Sequence, residues 1–174
     1  MPQEHSPTVR YYRAMTGSWS GPYRFVITDP AAMRAAVPAW WDRRGLLLMH
    51  ALGGARMSTT VAFRADDEVL HTTRVTAWGL PALSGVEVFR LADDGRSLSV
   101  RMVQRFAPLF RPPRDFGEGS GVVADPEVGA DYRLPWLGGC VIEQRVRVVA
   151  GGVALAQTSA WFRAEARLVR HGRG

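Results

Sequence analysis

Two residues in this chain have the chemistry and the setting for proton transfer. Glu87 lies between two valines in "LSGVEVFRL", and His71 sits in the preceding run, "VLHTTRVTAW". Side chains alternate between the two faces of a strand, and this mid-strand carboxyl is a candidate for the interior one. Beside an arginine such as Arg101 it would stay ionised; alone in an apolar interior its pKa would rise and suit it to acid or base work. His71 adds a group with a near-neutral intrinsic pKa. Neighbouring strands of a meander can set two such groups on one ligand if their registers agree.

The other chemistry-bearing residues point to binding. "SLSVRMVQRF" places Gln104 on the same face as Leu98, Val100, Met102 and Phe106, and "VIEQRVRVV" places Gln144 with Ile142, Val146 and Val148. Together with Arg101 and the tryptophans Trp40, Trp41, Trp78, Trp136 and Trp161, they form the candidate ligand contacts. A mostly apolar cavity with a few convergent polar groups is the usual form of a small-molecule site. In "VALAQTSAWFRAEARL", read as one strand, the face Ala154, Ala156, Thr158, Ala160, Phe162 and Ala164 is small enough to leave room inside.

Other chemistries find no motif. The four histidines are scattered and Cys140 has no partner motif, so no metal or cofactor is expected. No Gly-x-Ser-x-Gly elbow is present. "FGEGSG" has phosphate-loop glycines but no following helix, and reads instead as a bulge or tight barrel corner. The net charge of +6 comes wholly from arginine, lysine being absent. The arginines lie dispersed along strand-like runs with no nucleic-acid motif, so specific nucleic-acid binding is not expected. No apolar run is long enough to span a membrane. A polar beginning without a signal-like stretch and one cysteine lead to the expectation of a cytoplasmic, reducing setting.

These residues need elements to hold them. "SPTVRYYRAMTG" predicts a short helix with Ser6 as N-cap and Pro7 at its first position. A strand over residues 18–28 follows, and Asp29-Pro30 opens a helical piece bent at Pro38. Trp40 and Trp41 are about 100° apart around its axis, so one is expected to pack inward and the other to cover the mouth. From Gly45 onward the reading is β: "LLLMHAL" as a buried strand, "ARMSTTVAFR", "VLHTTRVTAW" through Trp78, "LSGVEVFRL", and a hairpin at Asp94-Gly95. "APLFRPPRDFG" is the one long irregular stretch, and four further strands end near Arg170, leaving 171–174 as a frayed tail. The prediction is an all-β, up-and-down antiparallel barrel of about ten strands, one domain over residues 1–174, with a short N-terminal helix and a helical cap after the first strand.

Three short motifs on that framework resemble the calycin superfamily of lipocalins, fatty-acid-binding proteins and nitrobindin-like barrels. Gly17-Ser18-Trp19 is similar to the Gly-x-Trp that opens the first lipocalin strand, and Ala130-Asp131-Tyr132 to their Thr-Asp-Tyr, with alanine for threonine. The resemblance implies that Trp19 plugs a closed end and that Arg163 or Arg167 packs across it. The helix after the first strand resembles a fatty-acid-binding portal. Without a disulfide, a secretion signal or a final helix, the chain looks more like an intracellular relative. A nitrobindin-like haem would need an axial histidine near the C-terminus, and the one candidate, His171, lies beyond the last predicted strand. What the resemblance implies for function is an apolar small-molecule carrier or, alternatively, a cofactor-free cyclase or isomerase of natural-product biosynthesis, with Glu87, His71 or Tyr132 supplying a hydrogen bond. A filled, scaffold-like barrel is the third reading.

Overall fold

The computed structural model describes residues 6–51, 55–106, 112–125 and 129–171. Its elements run α1 (Pro7–Met15), β1 (Gly17–Ile27), α2 (Pro30–Ala36), α3 (Trp40–Ala51), β2 (Ala55–Ala65), β3 (Glu68–Ala77), β4 (Leu80–Leu91), β5 (Ser97–Phe106), β6 (Arg114–Asp125), β7 (Gly129–Pro135), β8 (Val141–Val149), β9 (Gly152–Thr158) and β10 (Phe162–Arg170). Each strand pairs antiparallel with its chain neighbours, and β1 closes the ring against β10. Closure leaves no free sheet edge.

The ten strands match the expected number for partly compensating reasons. "LLLMHAL" is the second half of α3: Asp42, Leu46 and Met49 share its buried side, a helical spacing, while Leu47 and Leu48 stay exposed. A short apolar run does not by itself distinguish a buried strand from a helix. The last segment, read as one strand, is the hairpin β9–β10. At its corner the Ser159 hydroxyl accepts from the backbone N–H groups of Trp161 and Phe162, and the Ser159 N–H donates to the Phe162 carbonyl. Crossing that corner changes which parity points inward. Val153, Leu155 and Gln157 line the interior on β9, and Phe162, Ala164 and Ala166 are buried on β10. Ala154 and Ala156, expected inside, are on the outer face.

α1 closes one end. The Ser6 hydroxyl caps it by accepting from the Val9 N–H, and Val9, Tyr11, Tyr12 and Met15 are buried. The Trp19 indole N–H donates to the Met15 carbonyl at 2.8 Å, tying plug to wall. The arginine over the Trp19 ring is Arg170, with its guanidinium carbon 5.1 Å from the ring centre. Arg163 and Arg167, expected there, lie further back along the outer face of β10. His171 is not frayed: its N–H donates to the Ser18 carbonyl, and its Nε2 lies 2.5 Å from the Ser20 hydroxyl. That places its ring against β1. Residues 172–174 lie outside the described residues, as do 107–111 of the stretch expected to be irregular.

The other end is crossed by α3. Near its C-terminus the His50 Nδ1 accepts from the Ile27 N–H, at the end of β1. Near its N-terminus the Asp42 carboxylate pairs with Arg114, at the start of β6, at 2.9 Å. β1 and β6 stand five places apart in a ring of ten strands, on opposite sides of the barrel. A helix tied to both lies across the mouth as a cap. α2 leads into it, started by the Asp29 carboxylate, which accepts from the Ala31 and Ala32 N–H groups.

Candidate functional site

Alternation and register bring the two proton-transfer candidates together. His71 on β3 is the direct cross-strand partner of Glu87 on β4, and both point inward and are buried. The His71 Nδ1 lies 3.7 Å from Glu87 Oε2, beyond a normal hydrogen bond, and its Nε2 has no hydrogen-bond partner among the described residues. Burial sets the protonation states. It pushes the Glu87 carboxyl up to about 7 and holds the His71 imidazole down at about 4. Among the described residues no arginine joins them: Arg101, offset by one residue from Met102, points outward and pairs with Asp115. Arg101 is therefore not a cavity residue.

Behind the dyad lies an aromatic floor. Phe89 sits 4.6 Å from the His71 ring, and Tyr12 meets both. The Tyr132 hydroxyl is 3.2 Å from that of Tyr12 and donates to that of Tyr11 at 3.5 Å. Burial, first among several causes, raises all three phenol pKa values well above 10, so they act as neutral hydrogen-bonding groups and not as bases. Gly121, directly opposite Tyr132, leaves the space its ring fills, since a Cβ there would come within 2.5 Å of it. Gly119 likewise serves close packing on β6, whereas Gly117, at φ 86° with open space around it, sits where the β5–β6 register shifts, the bulge expected of "FGEGSG".

Above the dyad, towards α3, the interior holds a cavity of about 60 Å³ for the centre of a water-sized sphere. That is room for a handful of waters or one small ring, smaller than a drug-sized site. Its walls include His71, Glu87, Gln104 and Gln144, with Met15, Met57 and Met102 as its flexible apolar side chains. The Trp136 indole N–H donates to Gln104 Oε1 at 2.9 Å. Gly85 faces Gln104 directly, and a Cβ there would press on the Gln104 side chain at 3.0 Å. Gln157 donates to Gln144 Oε1 and accepts from the Tyr23 hydroxyl. Gln157 and Tyr23 were not among the sequence candidates. The parity error at the β9–β10 corner hid Gln157, and the hydroxyl of Tyr23 had no visible partner without it.

The tryptophans divide sharply. Trp136 lines the cavity, and Trp161, at the β9–β10 corner, is buried against it in a stacked pair 5.5 Å apart. Trp40 and Trp41 are both exposed, 47% and 55%, and stack on one another at 3.7 Å, with Arg44 over Trp40. Neither packs down into the barrel, because Asp42, Leu46 and Met49 occupy the buried side of α3. Trp78 is 76% exposed at the β3–β4 turn, with φ 52° beside Gly79 at φ 78°, and takes no part in the cavity. Cys140 is half-buried, and burial pushes its thiol up to about 11, away from nucleophilic use. Among the described residues no group of three or more metal-ligating side chains is found, and no helix is long and apolar enough to cross a membrane.

No family model and no curated protein matches the chain. Among solved structures, secretory abundant heat soluble protein 4 from Ramazzottius varieornatus is similar, with a TM-score of 0.43 and 11% identity over 94% of this chain and 96% of that one. At that level the likeness says nothing about ligand or activity.

Proposed function

We propose that the barrel encloses a small, mostly apolar molecule bearing one polar end, which hydrogen-bonds at the His71–Glu87 pair. The observation that carries this reading is the unpartnered His71 Nε2, buried in the wall of a cavity with Glu87 beside it. A buried polar atom without a partner is costly, and a ligand group that reaches it recovers that cost. Gln104, Gln144 and Gln157 would orient the rest, and Met57 and Met102 can shift to enlarge a cavity that is small when empty. The test is a titration with a neutral single-ring probe, nitrobenzene, which should bind with one-to-one stoichiometry and quench tryptophan emission. Weak, non-saturable binding would return the barrel to a filled scaffold. Native mass spectrometry of protein from its own host should show a co-purifying small molecule.

A second reading has its own support. A carboxyl poised at about 7 next to a neutral imidazole can take and return a proton near neutral pH. On that reading the protein is a cofactor-free isomerase or cyclase: the closed barrel holds a reactive conformer and Glu87 moves the proton. Glu87→Gln separates the two. A carrier loses about 1–3 kcal/mol of affinity. A catalyst loses about 10²–10⁴-fold in turnover with little change in binding.

A further inference from the structure

The outer wall formed by β8, β9, β10, β1 and β2 carries a second, larger concavity of about 1140 Å³. Its shape follows from the register. Arg147, Ala154 and Arg167 form one row across β8, β9 and β10, and Arg145, Ala156 and Glu165 form the next. Two alanines on β9 thus make a low floor between arginine-bearing strands, and Arg24 and Arg56 extend the wall over β1 and β2. Five arginines face two carboxylates, Glu165 and Asp131. Asp131 is shared by Arg147 at 2.8 Å and Arg145 at 3.9 Å, while Arg24 and Arg167 make no ion pair among the described residues.

We propose that this furrow docks an extended acidic segment of a partner protein, with carboxylates on alternate residues. Strands lie about 4.8 Å apart, so Arg147 and Arg167 rise about 9.6 Å from one another across the alanines, the width of one extended chain. Along a strand, residues on one face repeat every 6.6–6.8 Å or so, and an extended peptide presents its alternate side chains at the same repeat. The guanidinium groups of Arg24 and Arg167 are planar forks that can each take a carboxylate through two hydrogen bonds, while Arg147 is already held by Asp131 and by the Ala130 and Val146 carbonyls, and Arg56 by the Ser20 hydroxyl. Single-stranded nucleic acid fits less well, because base stacking needs aromatic platforms. The furrow's one aromatic among the described residues, Tyr23, is buried with its hydroxyl turned to Gln157.

The test is fluorescence anisotropy with a labelled twelve-residue peptide alternating glutamate and serine. Beside it run a block peptide of the same composition and a single-stranded DNA of equal charge. The alternating peptide should bind saturably and more weakly as salt rises. Arg167→Glu should weaken it tenfold or more, and Ala154→Leu, which fills the floor without changing charge, should weaken it severalfold. Arg105→Glu, on the outer face of β5 and five strands round the ring from β10, should change it less than twofold. An equal loss with Arg105→Glu would reduce the effect to net charge. Equal binding of the block peptide would remove the register match, and tighter DNA binding lost with Arg167→Glu would make the face a nucleic-acid site. No saturable binding would end the proposal. Unchanged thermal melting of each variant shows that a loss of binding is not a loss of fold.

Discussion

The two ends of the barrel are closed by helices in different ways. At the α1 end the closure is apolar and saturated: Tyr11 and Tyr12 are fully buried, the Tyr132 hydroxyl meets theirs, and Trp19 is held by Met15 beneath Arg170. At the α3 end only Leu46 and Met49 supply apolar cover from the helix, and its two ties are polar, Asp42–Arg114 and His50–Ile27. Stability in a small barrel comes chiefly from apolar burial, whereas a polar tie adds little net energy but fixes geometry. The α1 end is built to stay shut. At the α3 end buried rings of the wall, Phe25, Trp161 and Phe162, and Met33 and Val37 of the α2 segment make the seal, so the part that lifts easily is α3 itself, which is tied down by few contacts.

The largest expected effect tests the α1 end. Trp19→Ala should cost about 3–5 kcal/mol in a denaturant titration, as large buried aromatics do. A loss within experimental error would show that Trp19 is not part of the plug and that the two ends do not differ in kind.

Next comes the dyad between them. The native carboxyl of Glu87 has its pKa near 7 against an ordinary 4.5, so the native state keeps a proton that the unfolded state releases. The stability it contributes is complete below about pH 4.5 and is lost as pH rises through about 7. The shift corresponds to about 3 kcal/mol at full ionisation. His71 works oppositely: held neutral at about 4, it lowers stability as pH falls from 6.5. Between about pH 4.5 and 6.5 the two slopes oppose and nearly cancel, so Glu87→Gln should turn a nearly flat stability profile there into one that rises with pH. Denaturation midpoints measured from about pH 4 to 7.5 decide it; a profile unchanged by the substitution would mean that the Glu87 charge is well solvated.

How much of this was legible depended on whether local pattern carried the information. Glu87 and His71 were recognisable as mid-strand titratable groups, but alternation left open which face was inner, and their pairing came from the β3–β4 register. The Ser6 cap and the Pro38 break act within a few residues and were read in place. Three features are settled by tertiary context. The leucines after Gly45 are apolar on every side, so the choice of helix depends on what covers the mouth. The corner at Ser159 is made by one hydroxyl, with no glycine or proline to mark it, and missing it turned β9 inside out in the reading. The exposure of Trp40, Trp41 and Trp78 follows from which face of α3 meets the barrel and from the turn at Gly79. Arg170 took the place of Arg163 or Arg167 over Trp19 because β1 and β10 pair with Trp19 opposite Arg170.

The α3 end should yield more easily. Arg114→Ala removes the partner of a carboxylate that is 4% exposed, while Arg114 itself is 42% exposed, so solvent already screens part of the pair. The expected cost is about 1–2 kcal/mol, below that of Trp19→Ala. The more telling readout is kinetic. With one end of the helix released, the neutral probe should enter and leave the cavity several times faster at nearly the same affinity. Stopped-flow rates equal to those of the parent protein would show that the ligand takes another route.

The smallest effect is the one that best separates the two ends. Trp19 and Trp40 are the same residue type, yet one is buried under an arginine at the plug and the other is 47% exposed on the cap. Trp40 stacks on Trp41 and carries Arg44, contacts that lie in solvent and involve no barrel wall residue. Replacing it removes a surface stack and one exposed cation–π contact, together worth about 0.5–1 kcal/mol at most. Leu46 and Met49 still seat the helix and Asp42 still holds Arg114, so the cap stays in place. Trp40→Ala should therefore leave the melting curve nearly unchanged and the probe exchange rates unaffected, in contrast to Arg114→Ala. A loss comparable to that of Trp19→Ala would mean that the tryptophan pair is part of the closure and that α3 is seated by its aromatics as α1 is.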